Sequence, residues 1–254
     1  DSRRRTFREM LVSSISGFGD GAGLWLGVAF VPTTGKLYFA PSSTQSVLVV
    51  DPMTNATDTT AIAGFIEYNG KWVDVTFAST TGKLYFCPLN ADNVLVVNPL
   101  TNTSNTTAIA GFGDDSGKWG SVVFVATTGK LYFTPSNADN VLIVDPTTNA
   151  SDTTAISGFE RGGSKWSAVV LVHTTGKLYF VPFNADNVLV VNPLTNTSDM
   201  QAMTGLSGDK GAMWYGGAYV SITNKLYFAP YHADSVLMVD PMTNTTDTTA
   251  IAGL

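Results

Sequence analysis

Five tryptophans, Trp25, Trp72, Trp119, Trp166 and Trp214, each stand ahead of a short polar segment. In four repeats that segment reads Asn90-Ala-Asp92-Asn, Asn137-Ala-Asp139-Asn, Asn184-Ala-Asp186-Asn and His232-Ala-Asp234-Ser. The first copy departs, with Ser43-Thr-Gln45-Ser. Indole rings beside amides and carboxylates are the chemistry of sugar recognition. The ring stacks on a C–H face and the polar groups bind hydroxyls. The five tryptophans with Asp92, Asp139, Asp186 and Asp234 are therefore the candidate ligand-binding residues. Each group also has a plainer use: a large aromatic fills a core, and Asn or Asp closes a turn.

Catalysis needs groups in unlike environments, so a catalyst should sit where repeats differ. Asp74 stands where the other copies have Gly27, Ser121, Ala168 and Gly216. His173 and His232 are unmatched, and Glu67, Asp114, Asp115, Glu160 and Asp209 vary between copies. Paired carboxylates could cleave a glycoside, but no motif selects a pair. No catalytic residue is assigned, and the chain reads as a non-enzyme. No calcium-loop pattern or Cys/His cluster is present, so no metal or cofactor is expected. Cys87, the single cysteine, occupies a small apolar slot and reads as an inert core thiol.

Six Asn-x-Ser/Thr sequons occur, at Asn55, Asn102, Asn105, Asn149, Asn196 and Asn244. As glycosylation sites they imply a secreted, extracellular protein. Five of them are one turn copied five times, and Asn and Thr also suit that turn without a glycan.

These residues are carried by a repeat. Lys-Leu-Tyr-Phe recurs at Lys36, Lys83, Lys130, Lys177 and Lys225, with spacings of 47, 47, 47 and 48. The tryptophans and the Pro-x-Thr-Asn turns keep the same register. Each unit reads as four short strands rich in Val, Ile, Thr, Tyr and Phe, bounded by Gly, Pro, Asn and Asp. Four strands in such a period predict an all-β, five-bladed β-propeller with four antiparallel strands per blade, closed into a ring. Runs such as Val94-Leu-Val-Val are continuously apolar, which suits sheets buried on both faces. Strand order then puts the Thr-Thr-Gly-Lys turns and sequon turns on one face. The Asn-Ala-Asp-Asn segments and the Gly-rich blade-to-blade loops fall on the other. The second face is the expected binding face, where five copies would act together.

The chain divides into a basic tail, residues 1–9, and one propeller, residues 10–254. The tail holds Arg3, Arg4, Arg5 and Arg8; residues 10–254 hold ten basic and eighteen acidic side chains, a net −8. An acidic body argues against a nucleic-acid partner. No apolar stretch of membrane-spanning length occurs.

The run Lys36-Leu-Tyr-Phe to Ser46-Val-Leu-Val-Val-Asp-Pro-Met-Thr-Asn resembles the YVTN and NHL type of propeller repeat, including the streptogramin-lyase-like group. That resemblance implies the fold and no particular site residue. Blade number and length are similar to those of the tachylectin-type five-bladed lectins, which implies one sugar per blade. The reading that follows is a non-catalytic, extracellular, carbohydrate-binding propeller. Its alternatives are an assembly subunit and a glycan-active hydrolase or lyase. The assembly alternative comes from a surplus. The closing segment Ile-x-Gly-Phe/Leu starts six times, at Ile15, Ile62, Ile109, Ile156, Met203 and Ile251, for five blades. The spare copy could overlap the ring or pair with another molecule.

Overall fold

The computed structural model describes residues 23–206 and 211–253. The basic tail and the first closing segment lie outside the described residues, as does Asp209. Blade 1 comprises β1 (Leu26–Val31), β2 (Lys36–Ala40), β3 (Leu48–Val50) and β4 (Thr57–Asp58). Blade 2 comprises β5 (Trp72–Ala78), β6 (Lys83–Pro88), β7 (Leu95–Asn98) and β8 (Thr103–Asn105). Blade 3 comprises β9 (Trp119–Val125), β10 (Lys130–Pro135), β11 (Leu142–Asp145) and β12 (Ala150–Asp152). Blade 4 comprises β13 (Trp166–Val172), β14 (Lys177–Pro182), β15 (Leu189–Asn192) and β16 (Thr197–Asp199). Blade 5 comprises β17 (Trp214–Val220), β18 (Lys225–Pro230), β19 (Leu237–Asp240) and β20 (Thr245–Asp247). Every blade is one four-stranded antiparallel sheet with its strands in chain order, as the repeat predicts.

The two faces of a blade explain the unbroken apolar runs. In blade 3, Leu131, Phe133, Leu142 and Val144 pack with Tyr85, Val94 and Ile109 of blade 2. Their neighbours along the same strands, Tyr132 and Ile143, pack with Trp166, Leu178 and Phe180 of blade 4. Side chains alternate across a strand, so a sheet wedged between two others must be apolar at every position. The outermost strands face water on their outer side and are polar, as in Thr103-Ser-Asn105.

Tyrosine hydroxyls latch successive blades. Tyr38 donates to the Pro99 carbonyl at 3.4 Å and Tyr85 to Pro146 at 3.0 Å. Tyr132 donates to Pro193 at 2.9 Å and Tyr179 to Pro241 at 3.2 Å. Each acceptor lies in the sequon turn of the next blade, so these turns share the face of the Thr-Thr-Gly-Lys hairpins. The register makes Pro52 the equivalent acceptor for Tyr227, but the Tyr227 hydroxyl bonds its own turn at Thr223, 3.3 Å away. Tyr132→Phe should cost about 0.5–1.5 kcal/mol in urea unfolding, because it orphans a buried carbonyl. Tyr227→Phe should stay within about 0.5 kcal/mol of wild type.

The fifth junction differs from the other four throughout. Innermost strands pack in the series β1, β5, β9, β13, β17, and no comparable packing joins β17 to β1 among the described residues. Val28 and Phe30 on β1 are exposed, whereas their counterparts Val75 and Phe77 pack in the junction of blades 1 and 2. The five blades form the ring-like array expected, with a seam between blades 5 and 1. The C-terminal closing segment completes blade 5: Val236 N–H donates to the Ile251 carbonyl at 3.0 Å. Val47, Val94, Val141 and Val188 use the same bond to Ile62, Ile109, Ile156 and Met203.

Candidate functional site

The face opposite the sequon turns is built on the Asn-Ala-Asp-Asn segments, and their first Asn is a staple. Asn137 Oδ1 accepts from Ser164 N at 2.8 Å while its Nδ2 donates to the Ser116 carbonyl at 3.1 Å. Asn90 ties Asn69 to Gly117 in the same way, and Asn184 ties Gly163 to Ala212. Each therefore clamps the loop entering its own blade to the loop entering the next. A buried lysine reinforces the clamp. Lys118 Nζ donates to the carbonyls of Asn90, Gly113 and Asp115 at 3.3, 3.0 and 2.5 Å. Lys71 bonds the Ser42 and Tyr68 carbonyls, and Lys165 those of Ser136, Ala138 and Gly162. Burial pushes all three ammonium groups below the ordinary lysine range.

The tryptophans sit beneath this layer. Trp72, Trp119, Trp166 and Trp214 are buried, and Trp25 is half-buried. Their indole N–H groups donate to the backbone carbonyls of Ser46, Asn93, Asn140, Asn187 and Ser235 at 2.7–3.1 Å. Phe65, Phe112 and Phe159 pack edge-on against Trp72, Trp119 and Trp166, with ring centroids 5.2–5.3 Å apart. The four buried rings thus fill the wedge between blades.

The aspartates stay near the surface. Asp92 Oδ1 accepts from Gly113 N at 2.5 Å, and Asp139 accepts from Asn140 Nδ2 at 2.7 Å and Arg161 Nε at 3.0 Å. The Asn140 bond, with the Arg161 guanidinium, holds the Asp139 carboxyl below its usual range. The Asp186 and Asp234 carbonyls accept from Leu206 N and Gly253 N at 3.1 and 2.9 Å. The last Asn of each segment adds a signal absent from the spacing argument. Asn93, Asn140 and Asn187 each hold a buried side-chain carbonyl oxygen with no hydrogen-bond partner.

Two of these asparagines line clefts at equivalent places. One cleft, of about 440 Å³, is bordered by Phe112, Asp115, Trp119, Asp139, Asn140 and Arg161. The next, of about 590 Å³, is bordered by Phe159, Arg161, Trp166, Asp186, Asn187 and Met200. Arg161 stands between them and reaches Asp115 at 3.4 Å and Asp139 at 3.0 Å.

A second feature lies at the mouth of the central channel. Leu26, Val73, Gly120, Ser167 and Tyr215, one from each blade, line a cavity of about 200 Å³ together with Phe183. Phe183, Tyr215 and Tyr231 form a cluster with centroids 5.6–6.1 Å apart, extended by His232 at 4.6 Å from Tyr231. Both tyrosines are exposed. The signal for this cluster was available: Tyr215 replaces Leu26, Val73, Gly120 and Ser167, and Tyr231 replaces Ser42, Leu89 and Ser136.

Asp74 is half-buried, and desolvation pushes its carboxyl above the usual range against three donors. Val75 N donates to Oδ1 at 2.8 Å; Ser121 Oγ and Val122 N donate to Oδ2 at 2.7 and 3.0 Å. The neighbouring copy must be glycine here, because a Cβ on Gly27 would lie 2.6 Å from Asp74. Asp74 therefore joins blades 2 and 3. Cys87 is buried beside it, with its thiol pushed well up by burial and directed at the Trp119 and Ser121 carbonyls. His173 lies in a Thr-Thr-Gly hairpin on the other face from His232, Glu67, Asp114, Asp115 and Glu160. Among the described residues no three of His, Cys, Asp or Glu gather as a metal site, and no helix is long and apolar enough to cross a membrane.

The sequon asparagines Asn55, Asn102, Asn149, Asn196 and Asn244 all have φ between 53° and 61°. That left-handed backbone is one that Asn tolerates better than most residues, so the turn needs Asn whatever is attached to it. Asn105 caps the following turn through Thr107 N and Ala108 N, as Asp58 and Asp152 do in their blades.

No protein-family profile matches the chain, and no curated protein matches it. Solved structures do. A streptogramin B lyase superposes with a TM-score of 0.64 at 12% identity, covering 88% of this chain and 67% of the lyase. A catalytically inactive virginiamycin B lyase from Staphylococcus aureus with quinupristin gives 0.67 at 12% identity, covering 92% and 74%. An auxiliary nutrient binding protein from Bacteroides ovatus gives 0.61 at 15% identity, covering 88% and 56%. The chain thus has the propeller fold of the streptogramin lyases, as the resemblance of its repeat implies. At such identities the likeness extends to the fold alone.

Proposed function

We propose that this chain is a non-catalytic binding propeller that acts outside the cell and takes a carbohydrate in clefts repeated from blade to blade. The carrying observation is the pair of equivalent clefts, one bordered by Asp139, Asn140 and Arg161 and the next by Arg161, Asp186 and Asn187. Amides, carboxylates and a guanidinium gathered in an open cleft are groups that bind hydroxyls. Asp139 and Asp186 supply further acceptors at the rims of the two clefts. The exposed rings of Tyr215 and Tyr231 offer a flat apolar surface on the same side. The two clefts give a valence of two on this reading rather than five, and Ser46 and Ser235 replace the amide in blades 1 and 5. Glycans on the sequon turns would lie on the opposite face and leave the clefts open.

A glycan array followed by titration tests the reading. Asp139→Ala with Asp186→Ala should keep the fold and weaken binding by at least about tenfold, the loss of one good hydrogen bond to each site. Absence of any binding at millimolar sugar by the folded protein would remove the proposal.

A further inference from the structure

The blades copy one another closely, but one place on the innermost strands differs in all five. Leu26, Val73, Gly120, Ser167 and Tyr215 each follow the repeated tryptophan, and all five border the central cavity of about 200 Å³. The place after the proline of the second strand varies too, and it adds Leu89, Ser136 and Phe183 to the lining. A residue needed only to plug the axis of the ring could be one type copied five times. The cavity is lopsided instead.

Blades 1 and 2 give it an aliphatic wall of Leu26, Val73 and Leu89. Blades 4 and 5 give it an aromatic wall, where the rings of Phe183 and Tyr215 meet edge-on with centroids 5.8 Å apart. Tyr231 packs against both rings at 5.6 and 6.1 Å. From blades 3 and 4 come the side chains of Ser136 and Ser167, only 9% and 8% exposed. Ser167 Oγ donates to the Trp214 carbonyl at 3.3 Å, so its lone pairs are left to accept from a ligand. The polar groups thus come from one side of a pocket that is apolar on the others.

We infer that this cavity binds a small molecule built on one aromatic ring with a single neutral or cationic hydrogen-bond donor, such as a phenol. It is a site for a different ligand class from the sugar clefts between blades. Size sets the ring: a cavity of about 150 Å³ with such a lining holds a benzene, and the remainder admits one substituent. The ring lies against Phe183 and Tyr215, and the substituent donates to Ser167 Oγ. A sugar fits less well, because its hydroxyls against Leu26, Val73 and Leu89 would leave water without gaining a partner. An anion fits less well because of the surrounding charge. Desolvation pushes the Tyr215 phenol above its usual range, and the Asp74 carboxyl adds to the effect. A ligand carboxylate would meet that carboxyl, with Glu67, Asp114, Asp115 and Glu160 on the same face.

Titration of the folded full chain with p-cresol, followed by NMR, tests this. One p-cresol should bind with a Kd of about 1 mM or tighter, and p-toluate and a methyl hexoside should bind at least about tenfold more weakly at this place. Nuclear Overhauser contacts should join the p-cresol ring to Val73 and Tyr215. Two substitutions carry the test further, each copying the residue that blade 2 holds at the equivalent position. Tyr215→Val removes the aromatic wall and Ser136→Leu fills the cavity, and each should weaken p-cresol by at least about tenfold. Where one variant fails to fold, the other and the contacts in the wild type decide. Absence of p-cresol binding by the folded protein at about 10 mM, well above the expected Kd, overturns the proposal. Equal affinity for p-toluate, contacts to other residues only, or unchanged binding in the folded variants overturns it as well.

Discussion

Trp119→Ala should destabilise the propeller by about 3–5 kcal/mol, the cost of emptying a large buried aromatic site. In a domain of this size that lowers the melting temperature by about 10 °C. Three contacts carry the loss. The ring packs with Leu131, Phe133 and Ile109, it takes the edge of Phe112, and its N–H holds the Asn140 carbonyl at 3.1 Å. Trp119→Phe should recover part of the packing and still orphan that carbonyl, so its midpoint should fall between the two. The pair of variants separates a wedge residue from a stacking platform. A ring meant for a ligand would face water, and its removal would change stability by no more than about 0.5 kcal/mol. A wild-type melting temperature in Trp119→Ala would put the indoles back among the ligand-binding residues.

The fold was legible because three markers kept one period and each blade solves the same packing problem. Leu131 and Tyr132 show the limit of that reading. Their type says both are buried, but only the alternation across a twisted sheet says that they belong to different junctions. The binding face was legible from strand order, whereas the division of labour within it was not. In Asn137-Ala-Asp139-Asn140 the first residue staples loops, the third bears the carboxylate, and the last buries an unpaired oxygen. Three polar residues within a run of four give no hint of which will be satisfied by backbone, because the partners lie in loops of adjacent blades. The seam was half legible: six closing segments for five blades announced a surplus. Which copy completes blade 5 depended on a single backbone bond, from Val236 to Ile251.

The lysines before Trp72, Trp119 and Trp166 were passed over for a different reason, and they carry the second large effect. Lysine is rarely buried, so a Lys-Trp pair reads as a solvated residue beside a core one. Lys118 is instead enclosed by three backbone carbonyls from two loops, and among the described residues no ion pair joins it to a carboxylate. Two terms oppose each other in Lys118→Met. Removing a buried ammonium relieves its desolvation, while the three carbonyls lose charge-assisted donors worth about 1.5–3 kcal/mol each. The carbonyls are held by the loop's own geometry and cannot turn elsewhere, so the second term should win. The expected loss is about 2 kcal/mol in urea unfolding at neutral pH, a net figure for these opposing terms. The burial that lowers the lysine's proton affinity also fixes a sign. A folded-state value below the unfolded one means that the ammonium form weakens folding. Wild-type stability should therefore rise as pH climbs from the folded value towards the ordinary lysine value near 10.5. Lys118→Met should lack that rise. Blade 5 supplies an internal control, because Met213 already holds the equivalent position and packs with Leu226 and Trp214. Methionine is thus acceptable to the core at this place, and any loss in Lys118→Met belongs to the loop between Gly113 and Gly117. Faster amide exchange confined to that loop would assign the loss to the carbonyl cage. Wild-type stability with unchanged exchange would show that desolvation cancels it.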